Sequence, residues 1–439
     1  MAGKDKTDSQ SQSQSQAHFL TEDILINILL RLPIASCIFQ FRCVCRSWRI
    51  LLSDPQFIRK ILFFRNLADQ RSLQILIAGG DLDPVSLISK FHYSLHTYDT
   101  LRHISAAAAL APELPSTPDK IRDPLSRLTI VGCCDGIFCI SDENERSPSE
   151  IILWNPTTFE TKLLPRSTCP PAPSGTIKGC ESIGLGFDPL TGDYKVVRTL
   201  KYSGNEEADS DDYYDFGYVC PPATTFKEVY SLKNDSWKRL TDKSCSVGWT
   251  PGYVHQDTPR NEKCYWYYSI GDENFYLITF DVSKEVFRKV TVAAPPGKDG
   301  CFSQSCFMLK EALVTTFDDF GPLEVWGLMK YQGSYHRRSN DQKRKKKYRP
   351  SKSWTKLFTF PHYEWHRNLE AWKEGMFICS RRVTSRHSHD PESKDTDGVF
   401  VLDPATREIT GDCLETQGRT HSFQAHTYTP TQVSLSVLS

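Results

Sequence analysis

Residues 19–57 read FLTEDILINILLRLPIASCIFQFRCVCRSWRILLSDPQF, and the apolar spacing in this stretch decides how the N-terminal part of the chain folds. Thr21 is placed to cap a helix, and Glu22 and Asp23 set negative charge at the positive end of its dipole. Ile24, Leu25, Ile28, Leu29 and Leu32 then recur at one-, three- and four-residue steps, the spacing of one helix face. Pro33 ends that helix, because it lacks an N–H and disfavours a helical residue before it. A second apolar run (Ile34, Ile38, Phe39, Phe41) and a third (Val44, Trp48, Leu51, Leu52) follow, and Asp54-Pro55 stops the last one. Three short helices cannot bury all their apolar faces against one another. Part of this surface must dock elsewhere.

Outside this stretch the chain changes character. Residues 1–18 are a polar, Ser/Gln-rich segment of low complexity, which predicts disorder and offers no apolar core for a signal peptide. The whole chain has 439 residues, enough for two units of unequal size. Its 53 basic and 53 acidic residues cancel, so no overall field points to nucleic acid, and no apolar run is long enough to cross a bilayer. Fifteen cysteines without a leader are expected to be reduced thiols in the cytosol or nucleus, many acting as small buried hydrophobes.

From residue 70 to about 430 the pattern is short β-rich runs punctuated by Asn-Pro, Asp-Pro, Thr-Gly and Asn-Asp turns. A unit of apolar strand, polar turn and second strand recurs. It is seen at Ile151–Leu153 with Thr161–Leu164, at Leu185–Phe187 with Tyr194–Val197, and at Val229–Leu232 with Ser236-Trp237. Further copies are Leu277–Val282 with Val286-Phe287, Leu323–Met329 with Ser353-Trp354, and Val399–Pro404 with Arg407–Ile409. A hairpin repeat at intervals of about 30–50 residues predicts an all-β domain of β-propeller type, with Val399–Ile409 completing the array. An acidic run, Asn205–Asp215, and a basic run, His336–Lys352, interrupt it as loop insertions at about 203–216 and 333–352.

Two resemblances attach to these residues. Residues 19–60, above all Leu32-Pro33, Cys43-Val44-Cys45 and Ser47-Trp48, resemble an F-box, although Leu20-Thr21 stands where such motifs usually begin with Leu-Pro. Cys133-Cys134-Asp135-Gly136-Ile137-Phe138-Cys139, Leu153-Trp154-Asn155-Pro156-Thr157-Thr158, Gly186-Phe187-Asp188-Pro189 and Val229–Trp237 resemble the plant F-box-associated domain, itself similar to kelch-type propellers. Together they imply a three-helix all-α module followed by an all-β propeller. They imply a non-catalytic substrate-recognition subunit of a Skp-cullin-F-box ubiquitin ligase, with a ligase-independent scaffold as the alternative. The implied partners are a Skp-family adaptor, through it a cullin and a RING subunit, and a protein target of unknown identity. On this reading Leu20, Ile24, Leu25, Ile28, Leu32, Pro33, Val44 and Trp48 form the adaptor-binding face or its backing.

No chemistry competes with that reading. The basic run suits a solvated loop, or a nuclear-localisation signal ahead of a nucleic-acid patch. His92 and His96 are four apart, yet Tyr93 rather than Glu follows the first, and His362/His366 and His387/His389 have no supporting ligands. Gly184-Leu185-Gly186 leads into Phe-Asp-Pro, a strand and turn rather than a dinucleotide-binding helix. Trp365 and Trp372 are expected in the core, or at a rim if exposed. The sequence calls for no cofactor, metal or catalytic residue.

Overall fold

One turn, used repeatedly, sets the strand pattern. In Asn155–Phe159, Asp188–Gly192, Ser231–Asp235 and Asp281–Glu285 the first side chain accepts a backbone N–H from inside the turn. The bonds are Thr157 N to Asn155 Oδ1 at 2.9 Å, Leu190 N to Asp188 Oδ1 at 3.0 Å, Asn234 N to Ser231 Oγ at 3.1 Å and Lys284 N to Asp281 Oδ1 at 3.0 Å. The fifth residue is then left-handed: φ is +59° at Phe159, +67° at Gly192, +48° at Asp235 and +54° at Glu285. Glycine takes that conformation freely, whereas the other three hold it at a cost of about 1–2 kcal/mol each. A different turn joins Cys134 to Ile137, where Asp135 and Gly136 both have positive φ, as a two-residue hairpin loop requires.

The computed structural model describes residues 24, 28, 41, 43–52, 54, 57, 73–82, 89–99, 101, 128–142, 149–169, 176–204, 224–241, 252–255, 262–270, 274–298, 306–309, 312–317, 322–330, 352–360, 366–372, 376–383, 396–403, 405–406, 408–415, 420–431 and 433–435. Helix α1 (Arg46–Leu51) precedes β1 (Gln74–Leu82) and β2 (Ser89–Thr97). A first four-stranded antiparallel sheet then runs β3 (Leu128–Cys134), β4 (Ile137–Asp142), β5 (Ile151–Asn155) and β6 (Glu160–Leu163). The second is β7 (Thr176–Asp188), β8 (Asp193–Gly204), β9 (Thr224–Ser231) and β10 (Ser236–Arg239). The third comprises β11 (Gly252–His255), β12 (Lys263–Ile270), β13 (Asn274–Asp281) and β14 (Val286–Ala293). The fourth comprises β15 (Cys306–Leu309), β16 (Ala312–Phe317), β17 (Leu323–Lys330) and β18 (Lys352–Phe360). A short parallel pairing, Val254 and His255 beside Cys306 and Phe307, joins those two sheets. The fifth is β19 (His366–Ala371), β20 (Phe377–Val383), β21 (Thr396–Asp403) and β22 (Glu408–Glu415).

The closing strand, β23 (Thr420–Tyr428), returns to pair with β1 from Gln74↔Tyr428 to Asp81↔Thr420 and makes a sixth sheet, β2-β1-β23. The innermost strands then contact one another in a ring: β3 touches β7, β11 touches β15, β15 touches β19, β19 touches β23 and β23 returns to β3, with β7 meeting the third sheet through β12. This is propeller closure. The expectation that Val399–Ile409 completes the array is corrected: β21 and β22 are the outer strands of the fifth sheet, and β23 closes the ring. The other hairpin readings correspond to β5-β6, β7-β8, β9-β10, β13-β14 and β17-β18.

Burial follows from this packing. Each sheet lies between two others, so a middle strand is covered on both faces; β5, Ile151-Ile152-Leu153-Trp154-Asn155, is buried at all five positions. The outer strand β10 carries exposed Ser236, Lys238 and Arg239 instead. Alternation along β7 and β8 sends Leu185, Phe187, Tyr194 and Val196 into the seam with the first sheet. Val197 on the opposite face enters the seam with Trp266 of the third sheet. Gly184 is required there, since an added Cβ would lie 2.8 Å from Cζ2 of Trp266 and 2.9 Å from Cβ of Cys264.

The all-β part of the expected fold is met; of the expected helical module the described residues show α1 and helical positions at residues 24, 28, 41 and 57. Residues 1–18, the acidic run and residues 336–351 of the basic run lie outside the described residues, and Lys352 opens β18. Their flanking strands are described. Strand β17 ends and β18 begins at the end of the propeller that carries the tight turns, whereas β8 ends and β9 begins at the opposite end.

Candidate functional site: the helical face and the charged seams

At the start of α1 the backbone of Cys45 is extended and its thiol accepts the N–H of Trp48 at 3.5 Å, so this cysteine caps the helix. Ser47 Oγ lies 3.0 Å from the same sulfur, and these contacts lower the thiol's pKa. The Trp48 ring meets Phe41 edge-on at 5.5 Å between centroids, which leaves it part-buried. Leu52 and Phe57 are buried behind it. Four described aliphatic side chains face outward: Ile24 is 49 % exposed, Ile28 45 %, Val44 61 % and Ile50 64 %. Water-facing aliphatic groups gathered in one short module mark a surface suited to an apolar partner. Leu20, Leu25, Leu32 and Pro33 lie outside the described residues. Ile50 was not singled out by periodicity, because it follows Trp48 and Arg49 on the far side of the predicted stripe.

Two ion networks among the described residues lie in the seams of the second sheet. In the first, Arg198 of β8 sits opposite Glu228 of β9. Its Nη2 donates to Ser149 O at 2.6 Å, its Nε lies 3.1 Å from Glu181 and its Nη1 lies 3.4 Å from Glu228, the latter two as ionic contacts without hydrogen-bond geometry. Its guanidinium also rests on the Trp237 ring at 4.9 Å. All three charged side chains are at most 6 % exposed. The carboxylates take further donors from the first sheet: Ser149 N and Oγ reach Glu181, while Ser167 Oγ, Thr168 N and Thr168 Oγ1 reach Glu228. Trp237 Nε1 donates to Pro165 O at 2.7 Å. The second sheet therefore grips both ends of the β5-β6 hairpin. The sequence signal was a charged residue within an apolar strand, Lys195-Val196-Val197-Arg198.

In the second seam Lys195 bridges Asp188 at 3.0 Å and Glu285 at 2.9 Å, and Lys238 pairs with Glu285 at 2.7 Å. Burial alone would raise the Asp188 carboxyl. Hydrogen bonds from Ser283, Thr191, Lys195 and Leu190 outweigh it and hold the pKa down at about 2. Because the folded value lies below the unfolded one, Asp188 stabilises the fold above pH ~4 and that contribution is lost as pH falls through about 2. Asp188→Asn should therefore lower stability at pH 7 and flatten the acid limb of a urea-denaturation series between pH 5 and 2. An unaltered acid limb would show that Asp188 is not the group responsible.

The remaining candidates are structural. His96 is buried, with Nε2 2.7 Å from Ser94 Oγ and Nδ1 3.0 Å from Leu101 O. Trp372 is part-buried, donates to Tyr98 O at 2.9 Å and packs edge-on against the Tyr98 ring; Trp365 lies outside the described residues. Cys134, Cys139 and Cys264 are buried, and burial pushes the Cys139 thiol up to about 12. These thiols act as small hydrophobes rather than nucleophiles.

Residues 19–60 match the F-box domain family and residues 104–433 match the F-box associated beta propeller domain family. An F-box/kelch-repeat protein of Arabidopsis thaliana is 22 % identical over 81 % of this chain and 83 % of its own length. F-box protein CPR1 of the same plant is 29 % identical over 51 % of this chain, and the match spans 46 % of that protein. Among solved structures, dipeptidyl peptidase 4 of Porphyromonas gingivalis aligns over 76 % of this chain and 52 % of its own, at 10 % identity and a TM-score of 0.31.

Proposed function

Because this chain belongs to the F-box-associated β-propeller family and carries an F-box ahead of the propeller, we propose that it is the substrate-recognition subunit of a Skp-cullin-F-box ubiquitin ligase. The observation that carries this reading is the outward-facing set Ile24, Ile28, Val44 and Ile50. Packing those side chains against the helices of a Skp-type adaptor removes apolar surface from water at about 25 cal/mol per Å². Through the adaptor the chain would reach a cullin and a RING subunit. The propeller would hold a target protein beside the ubiquitin-charged enzyme, and its contribution is effective concentration rather than bond chemistry. On this reading the chain acts in the cytosol or nucleus, where the buried thiols of Cys139 and Cys264 stay reduced.

The test is an adaptor pull-down with Ile28→Asp and Val44→Asp. Each places a charge in the proposed contact and is expected to weaken adaptor binding at least tenfold while the β circular-dichroism signal stays unchanged. Undiminished adaptor capture by both variants would overturn the assignment of this face. Failure of the wild-type chain to capture any Skp-type adaptor, with target proteins still retained by residues 70–439, would favour the ligase-independent scaffold.

A further inference from the structure

Past Tyr428 the chain leaves the ladder but not the core. Pro430 lacks the N–H that would continue β23. Thr431, Val433, Ser434 and Leu435 are nevertheless buried. Val433 and Leu435, two residues apart, enter the apolar seam between the first and second four-stranded sheets, beside Cys134, Ile137, Leu164 and Tyr230. Side chains of the first sheet hold the backbone between them. Asn155 Nδ2 donates to Thr431 O at 3.2 Å and Val433 O at 2.7 Å. Leu435 N donates to Glu160 Oε2 at 2.5 Å, and Ser434 Oγ to Glu160 Oε1 at 2.6 Å.

The walls of this cleft are built by the propeller itself. Asn155 and Glu160 are cross-strand partners that flank one tight turn, and Asn155 Oδ1 is engaged in capping that turn. Phe159 lies between them, left-handed and 45 % exposed. On the approach side Gly136 has φ +76°, and an added Cβ would lie 2.6 Å from Thr429 O and 2.7 Å from Thr431 Cγ2. A glycine is needed there to let the segment pass. Main-chain groups held by fixed polar side chains, with alternate side chains in apolar pockets, is how folded domains bind extended peptides.

We propose that the cleft between the β3–β6 and β7–β10 sheets is an extended-peptide site, occupied in cis by residues 429–435, and that this strap releases without unfolding the propeller. The described residues of the strap lie outside the strand ladders, and the side chains of Asn155 and Glu160 hold its backbone, so its opening is local. The inference is independent of the ligase reading.

Hydrogen exchange on the full wild-type chain is the first test. The Leu435 amide is expected to exchange at least tenfold faster than the amides of β5, and equal rates across strap and strands would overturn local release. The second test uses the full-length double variant Val433→Ala/Leu435→Ala, which unseats the strap, and a synthetic peptide of residues 429–439. The variant is expected to retain its β signal with a lowered Tm, and the peptide to raise that Tm. Adding Asn155→Ala should abolish the peptide's effect. A double variant that loses its β signal would show the strap to be integral to folding, and a folded variant indifferent to peptide would show that the cleft is no peptide site. Either result overturns the proposal.

Discussion

Arg198→Met is expected to destabilise the propeller by about 3–5 kcal/mol, the cost of removing one partner from a buried ion cluster. The wild-type cluster already holds two carboxylates against one guanidinium, with Glu181, Glu228 and Arg198 all shielded from water. Methionine fills much of the arginine's volume but takes the guanidinium away from both carboxylates, which keep the hydroxyl donors of Ser149, Ser167 and Thr168. It also strips the Trp237 face of its cation. Lysine is a poor substitute, because one ammonium cannot meet Ser149 O, Glu181 and Glu228 in the directions a guanidinium reaches. Urea unfolding should show a lower midpoint, with a fall in Tm of roughly 5–10 °C. Coupling to Glu228→Gln in a double-mutant cycle should be about 1–3 kcal/mol, since the two side chains share one network. Strict additivity of the two substitutions would dismantle the account of this seam.

Truncation after Glu415 is expected to unfold the propeller as a whole. It removes β23, and with it the pairing that β1 makes from Gln74 to Asp81. It removes Gln424, whose side chain donates to Ile130 O at 2.9 Å and accepts Ile130 N at 2.8 Å, stitching the sixth sheet to the first. Tyr428, buried against Phe138 and bonded to Gln74, is lost too. Sheets in a ring bury their faces only against neighbours, so an opened ring exposes two apolar faces at once. The truncated chain should lose β circular dichroism and be digested rapidly under limited proteolysis. Survival of a protease-resistant core comparable to that of the intact chain would mean that the sheets are stable as an open array, and that closure is not cooperative.

The turns and outer hairpins were legible because their information is local. Asn155-Pro156, Asp188-Pro189 and Thr191-Gly192 encode a turn through one side-chain acceptor and one restricted or permissive φ, within five residues. Turns such as Ser231–Asp235 and Asp281–Glu285 carry the same geometry with no glycine at the left-handed position, so they were visible by alternation of the flanking strands instead. Of the residues that spacing nominated in the helical module, the described Ile24, Ile28 and Val44 are exposed and Trp48 is part-buried. Spacing did not nominate Ile50, because it lies on the far side of the stripe through Val44, Trp48 and Leu51.

By itself, then, the sequence determined the order of elements, the helical module ahead of a β array, and the positions where that array turns. These depend on side chains a few residues apart, whose energetics are settled before distant parts of the chain meet. Tertiary structure alone decided which strand closes the ring, why Gly136 and Asn155 are needed, and which charges are partners. Gln424 is 294 residues from Ile130 and Asn155 is 278 from Val433. Nothing in the local chain distinguishes such a pair, because a hydrogen bond or buried ion pair acquires its worth from exclusion of water by other segments.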